Sequence, residues 1–239
     1  MILIKLYVKF INSKPSSAMI SLSNADGGID MEKKKWIIPA IVVIVATALT
    51  VAVLWIGIAQ LGPEHLEYGF ARTVPPEEEA LRRSVIETAE RWLGSKEADG
   101  SHRPIIDLYN SHTPLAQGYE VQYDDDWCAT FVSAVAIELE LTDIIPTECG
   151  CQRQIGLFQD MGCWVEDDAY IPLPGDIIYY CMDGSDEEDC TKWSDHVGIV
   201  VGTADGYIKV IEGNASDDVA YRYVQIDAPT IRGFAIPDY

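Results

Sequence analysis

Positive charge is scarce in this chain. Across 239 residues there are 17 Lys and Arg against 38 Asp and Glu, a formal net charge of −21. After residue 63 the imbalance sharpens to 35 acids against 11 bases. A surface so acidic excludes nucleic acid as a partner, because phosphate backbones demand basic patches. It also argues against docking on anionic lipid and fits a solvated exterior. The chain has no internal repeat and no low-complexity segment. It has no Cys-x-x-Cys pair, and Cys149-Gly150-Cys151 is too tight for the usual zinc spacing. The acidic stretch 183–189 lacks the sixth-position glycine and closing glutamate of an EF-hand loop.

Charge is missing altogether from residues 36–63, most of which are Ile, Val, Ala, Leu or Trp. A helix rises about 1.5 Å per residue, so roughly 20 residues span a bilayer core. The sequence therefore predicts a transmembrane anchor over 36–61, with Trp36 and Trp55 near its ends and Pro39 tolerable in a first turn. Lys33, Lys34 and Lys35 precede the run and acids follow it, so residues 1–35 are expected on the cytoplasmic side and the rest outside. Removal as a signal peptide is the competing reading. Gly57-Ile58-Ala59 would suit cleavage, but the apolar core exceeds the usual 7–15 or so residues. Met31 opens a compact basic-then-apolar export signal and is a candidate natural start.

Residues 62–79 read as a tether and 80–239 as the folded domain. Pro76 followed by Glu77, Glu78 and Glu79 opens a helix. Leu81, Val85, Ala89 and Trp92 give it an apolar stripe, and Gly94 would stop it. Residues 95–103 read as polar loop and 105–109 as a short helix. A central helix is predicted over 127–141, because Phe131, Val132, Val135 and Leu139 follow Cys128 at helical spacing. A further helix is expected around 152–161. The pattern then turns to period two, predicting strands at 176–181, 196–203, 206–213, 219–226 and 231–236. Asp205-Gly206 marks a hairpin. Helices first and an antiparallel sheet second make an α+β fold.

Cys128 stands at the start of the central helix, where the positive end of the dipole favours a thiolate. Asp124, Asp125 and Asp126 just before it would alone oppose ionisation, so they need another task, such as capping the helix or binding a cation. His196 begins an apolar strand and is the candidate base. Glu212 and Asn214 lie at i and i+2 on the next strand, so they are expected on one face, with Glu212 near His196. Trp127 and Trp193 flank the dyad in sequence and are candidates to line a cleft, with ordinary packing the competing reading. His65, His102 and His112 fall in tether or loop and are expected to be exposed. Among the remaining cysteines, Cys181 and Cys190 bracket the acidic stretch and suit a disulfide. Cys163 is a candidate to pair with Cys149 or Cys151, and an odd thiol is left over.

Taken together, four motifs resemble the CHAP domain, the cysteine- and histidine-dependent amidohydrolases and peptidases among the NlpC/P60 relatives of papain. They are Trp127-Cys128-Ala129-Thr130-Phe131-Val132, Pro172-Leu173-Pro174-Gly175-Asp176-Ile177-Ile178, His196-Val197-Gly198-Ile199-Val200 and Glu212-Gly213-Asn214-Ala215-Ser216. The resemblance covers about residues 80–238. It implies a papain-like half-barrel of antiparallel strands on a catalytic helix. Cys128 would be the nucleophile, His196 the base, Glu212 its orienting acid and Asn214 a secondary polar group. The implied substrate is an amide or peptide bond of bacterial peptidoglycan, cut by an amidase or an endopeptidase. No cofactor is required by it. Some such domains resemble calcium binders just upstream of the cysteine, so calcium at Asp124–Asp126 stands as an alternative to a solvated charge run. A single-pass anchored hydrolase would suit a division, secretion or conjugation complex. A catalytically silent wall-binding module, or a thiol hydrolase acting on another substrate, are the alternative functions.

Overall fold

The structure is a computed structural model that describes residues 43–52, 62–182, 190–191 and 193–239. Two compact units divide the chain, Met1–Gln60 and Leu61–Tyr239. Of the first, residues 43–52 form a helix whose Val43, Ile44, Val45, Leu49 and Val51 are exposed. The rest of the predicted anchor lies outside the described residues. Among the described residues no helix is long and apolar enough to cross a membrane. Residues 1–35 and the acidic stretch 183–189 also lie outside them.

The second unit is α+β. Helices α1 (Pro76–Glu90), α2 (Arg103–Ser111), α3 (Cys128–Glu138) and α4 (Cys151–Asp160) precede most of one antiparallel sheet. Its strands are β1 (Trp164–Val165), β2 (Ile177–Tyr180), β3 (His196–Ala204), β4 (Tyr207–Glu212), β5 (Ala220–Gln225) and β6 (Ile231–Ala235), in the order β1-β6-β2-β3-β4-β5. The five predicted strands are present, each within a residue or two. The two-residue β1 has too short a pattern to read.

The Asp-Gly hairpin forms between β3 and β4. Asp205 and Gly206 both take positive φ, 47° and 82°, which matches the right-handed twist of the flanking strands.

Alternation along β3 and β4 gives the sheet two different faces. Val197, Ile199 and Ile211 join the helices in the larger core, with Phe131, Val132 and Val135 of α3. Tyr180, Val200, Ile208 and Val210 face a second core closed by Tyr170, Ile226 and Ala228. The central helix is more deeply seated than a stripe implies. Every residue from Cys128 to Ala136 is buried, which marks a helix surrounded by protein. In α1 the inner line is Arg82, Val85, Ile86 and Ala89, while Leu81 is 39% exposed. Arg82 displaces the predicted leucine because Asp176 waits for it in the core, with Nη1 2.7 Å from Oδ1.

Residues 62–79, read as a tether, are docked on this unit. Gly69 exchanges both backbone hydrogen bonds with Thr203, extending the edge of β3, and the Tyr68 ring packs on Tyr223. Nothing in the composition of a proline-flanked polar stretch signals such pairing, since backbone groups carry it.

Candidate active site

Residue 128 is the first of α3, and its helix begins without a side-chain cap. The three acids before it therefore do not cap the helix. Asp125 Oδ2 accepts from the Gln122 amide and the Tyr119 hydroxyl, each at 2.7 Å, closing the preceding turn. Asp126 accepts from Asn214 Nδ2 at 3.3 Å. With the first-turn amides uncapped, the positive end of the helix is directed at Cys128.

His196 begins β3 and Glu212 ends β4, so the hairpin brings them side by side. His196 Nε2 lies 3.0 Å from Glu212 Oε2. By alternation both residues share the face of Tyr180 and Val210, and the imidazole stacks on the Tyr180 ring with centroids 6.0 Å apart. The histidine thus meets Cys128 at the end of the sheet, where α3 and β3 both begin, rather than across the face that the helix covers.

Gly198 makes the pairing possible. A Cβ there would lie 2.5 Å from Val210 Cγ1 and 2.7 Å from Glu212 Cγ, so a side chain at 198 would crowd the strand that carries the carboxylate. The glycine in His-Val-Gly is a requirement of this crossing.

The electrostatics favour an ion pair. Cys128 has its pKa lowered from 9.0 to about 6. The first cause is a hydrogen bond from the Cys151 thiol, with Sγ atoms 3.4 Å apart. Burial opposes it, and the hydrogen bond and charge of His196 add to it. Burial pulls the His196 pKa down, but hydrogen bonds to Cys128 and Glu212 and their charges raise it to about 10. Nε2 serves Glu212, which leaves Nδ1 for the sulfur. Between those two values the stable form is thiolate and imidazolium, the state in which a cysteine attacks a carbonyl.

Glu212 is itself held by Arg222 on β5, whose Nε donates to both carboxylate oxygens at 2.8 Å. Sequence reading missed Arg222 and Cys151. Arg222 sits in Ala-Tyr-Arg-Tyr-Val-Gln, where period two says only that it shares a face with Ala220 and Val224. The one available signal was that β5 must lie beside β4. Cys151 opens α4, and no local pattern tells which element a helix start will meet.

The two tryptophans part company. Trp127 is fully buried, with Nε1 donating to Glu97 at 2.9 Å and its ring 5.6 Å from that of His102, so it is a packing residue and lines no cleft. Trp193 is 76% exposed and stands two residues before Asp195, whose carbonyl oxygen lies 3.9 Å from Cys128 Sγ.

Asn214 is not on the strand. β4 ends at Glu212, and Asn214 takes a left-handed φ of 56° in the following turn, so the shared-face expectation fails and its amide goes to Asp126.

His102 is buried, contrary to its reading as a loop residue. Its Nε2 lies 2.9 Å from the Tyr123 carbonyl and its Nδ1 3.3 Å from that of Lys96, tying two loops together behind Trp127. His65 is exposed and His112 half-buried.

Cys181 and Cys190 form the expected disulfide. Cys163 pairs with neither Cys149 nor Cys151, and all three carry free thiols. Among the described residues no group of three or more His, Cys, Asp and Glu is arranged to hold a metal ion.

Residues 118–214 match the family model described as CHAP domain. The match opens shortly before α3 and closes at Asn214, so it contains Cys128, His196 and Glu212 but neither Arg222 nor β6. No curated protein matches the chain in comparison, and no solved structure does.

Proposed function

Since this chain carries a CHAP domain over residues 118–214, we propose that it is a peptidoglycan hydrolase, an amidase or endopeptidase that works through Cys128, His196 and Glu212. The observation that carries this reading is the line from the uncapped helix start through His196 to the buried Glu212 carboxylate, 3.0 Å from the imidazole.

In the first half-reaction the Cys128 thiolate attacks the scissile amide carbonyl. The first-turn amides of α3, that of Cys128 among them, receive the developing oxyanion. The C–N bond then breaks as His196 gives its proton to the leaving amine, and an acyl thioester remains. In the second half-reaction neutral His196 takes a proton from water, whose oxygen attacks the thioester. The acid is released, and thiolate and imidazolium are restored. Glu212, fixed by Arg222, orients the ring throughout and favours its charged form. Trp193, exposed two residues before Asp195, offers an aromatic surface for the substrate. Asn214 secures the loop of Asp126 at the rim. The cycle requires no cofactor; calcium near Asp124–Asp126 would act on that loop.

Residues 36–61 are read as a single membrane anchor, with residues 1–35 cytoplasmic and the hydrolase domain outside. An anchored hydrolase suits local opening of the wall around a division, secretion or conjugation complex.

Full-length protein and its Cys128→Ala variant, incubated with purified peptidoglycan, test the reading. Mass spectrometry of soluble fragments is expected to show new termini with the wild type alone, and those termini identify the bond. Wall material that is bound but uncut by both proteins would make this a silent binding module instead.

A further inference from the structure

The hydrolytic cycle uses one thiol, yet two meet at its centre. Cys151 Sγ lies 3.4 Å from Cys128 Sγ, and both residues are buried.

The placement is built rather than incidental. The Ser133 hydroxyl on α3 donates to the Glu148 carbonyl at 2.7 Å and accepts from the Glu148 amide at 2.9 Å. Gln154 Nε2 donates to the Pro146 carbonyl at 2.9 Å, and the Tyr179 hydroxyl donates to Gln154 Oε1 at 2.9 Å. Gln152 Oε1 accepts from the Ser194 amide, joining the start of α4 to the segment that leads into His196. These bonds fix the first turn of α4 against both α3 and the sheet. Cys149, two residues earlier, contacts Glu148 and Gln117 instead.

We propose that Cys128 and Cys151 form a reversible oxidation site, in which a hydroperoxide oxidises Cys128 and Cys151 resolves it as an internal disulfide. The proposal rests on the reading of Cys128 as the reactive thiolate. In the first step the thiolate sulfur attacks the peroxide. An S–O bond forms, the O–O bond breaks and hydroxide leaves, giving Cys128 sulfenic acid. In the second step the Cys151 sulfur attacks the Cys128 sulfur. The S–S bond forms, the S–O bond breaks, and the departing hydroxide takes the Cys151 proton to become water. The two thiols lose two electrons and two protons, and hydrogen peroxide is reduced to two waters.

The geometry suits each step. The two sulfurs, 3.4 Å apart, have only to close to the roughly 2.05 Å of a disulfide. The Cys151 thiol is pushed well above its usual pKa by its bond to Cys128 and by burial, so it waits as a protonated donor until the thiolate beside it has been oxidised. The resulting disulfide removes the nucleophile, protects it from irreversible sulfinic acid, and returns it when a dithiol arrives.

Full-length protein treated with hydrogen peroxide, alkylated and cut after glutamate separates Cys128 from the peptide of Cys149, Cys151 and Cys163. The expected result is a reducible cross-link between those peptides in the wild type and in Cys149→Ser. Cys151→Ser and Cys151→Ala are expected to lack it and to accumulate Cys128 sulfinic acid. Wild-type wall hydrolysis is expected to be lost with the cross-link and regained with dithiothreitol, while the Cys151 variants do not recover. Oxidation of wild-type Cys128 to sulfinic acid without a cross-link, or a cross-link that survives in Cys151→Ser, overturns the proposal. The cross-link is read without wall hydrolysis, so failure of the hydrolase reading registers separately, as a Cys128→Ala protein that cuts as well as the wild type.

Discussion

Asp176 and Glu212 are both fully buried carboxylates, both paired with an arginine, and both belong to motifs shared with the CHAP resemblance. Asp176 Oδ1 accepts from Arg82 at 2.7 Å, and its Oδ2 accepts from the Leu173 amide at 2.8 Å and the Tyr170 hydroxyl at 3.1 Å. These are standing donors, supplied by α1 and by the loop before β2, so the carboxylate is a joint between layers. Glu212 differs in one partner. Beside Arg222 it holds His196, which can give up and regain a proton. Burial and an arginine do not mark a site, since such pairs also serve as structural joints. The titrating partner does.

The comparison can be broken from either side. The largest effect is expected at the joint. Asp176→Ala leaves Arg82 charged and buried without its main partner, and should cost about 3–5 kcal/mol of stability. Urea unfolding measures that loss, while activity per folded molecule should change little. At the site, Glu212→Gln keeps the shape but removes the charge that favours imidazolium. A drop in kcat of about a hundredfold is expected, equivalent to about 2.7 kcal/mol of barrier. A full-rate Glu212→Gln enzyme with a much lower melting temperature would make Glu212 a second joint.

The smallest effect is one of pH. The active thiolate is lost as pH falls through about 6, the lowered value of Cys128, and the imidazolium is lost as pH rises through about 10, the raised value of His196. The profile of kcat/KM should therefore be flat between those limits, and Cys151→Ala should move the acid limb upward. An unmoved limb would show that the Cys151 hydrogen bond does not sustain the thiolate.

Much of this was legible in the residues. The hairpin signal at Asp205-Gly206 and the period-two runs placed the five main strands, because alternation is imposed by a sheet with covered faces. Cys128, His196 and Glu212 were legible as a set through their order and local elements. The mistakes came where a residue's surroundings are supplied by distant chain. His102 reads from sequence as an exposed loop residue, yet it is buried beside Trp127, whose competing reading as a packing residue is the one its burial fits. Asn214 was placed by extending β4 two residues too far, and strand ends are set by the partner strand rather than by local composition.

What the sequence determined alone was the framework that carries the candidate site. A thiol at a helix start, a histidine at a strand start and an acid at a strand end follow from hydrophobic periodicity, which is local. The tertiary structure decided who stands beside them. Arg222 behind Glu212, Cys151 against Cys128 and Gly69 along β3 are neighbours brought together by chain closure. Contacts between residues far apart in sequence depend on how whole faces pack, and local patterns carry no record of that.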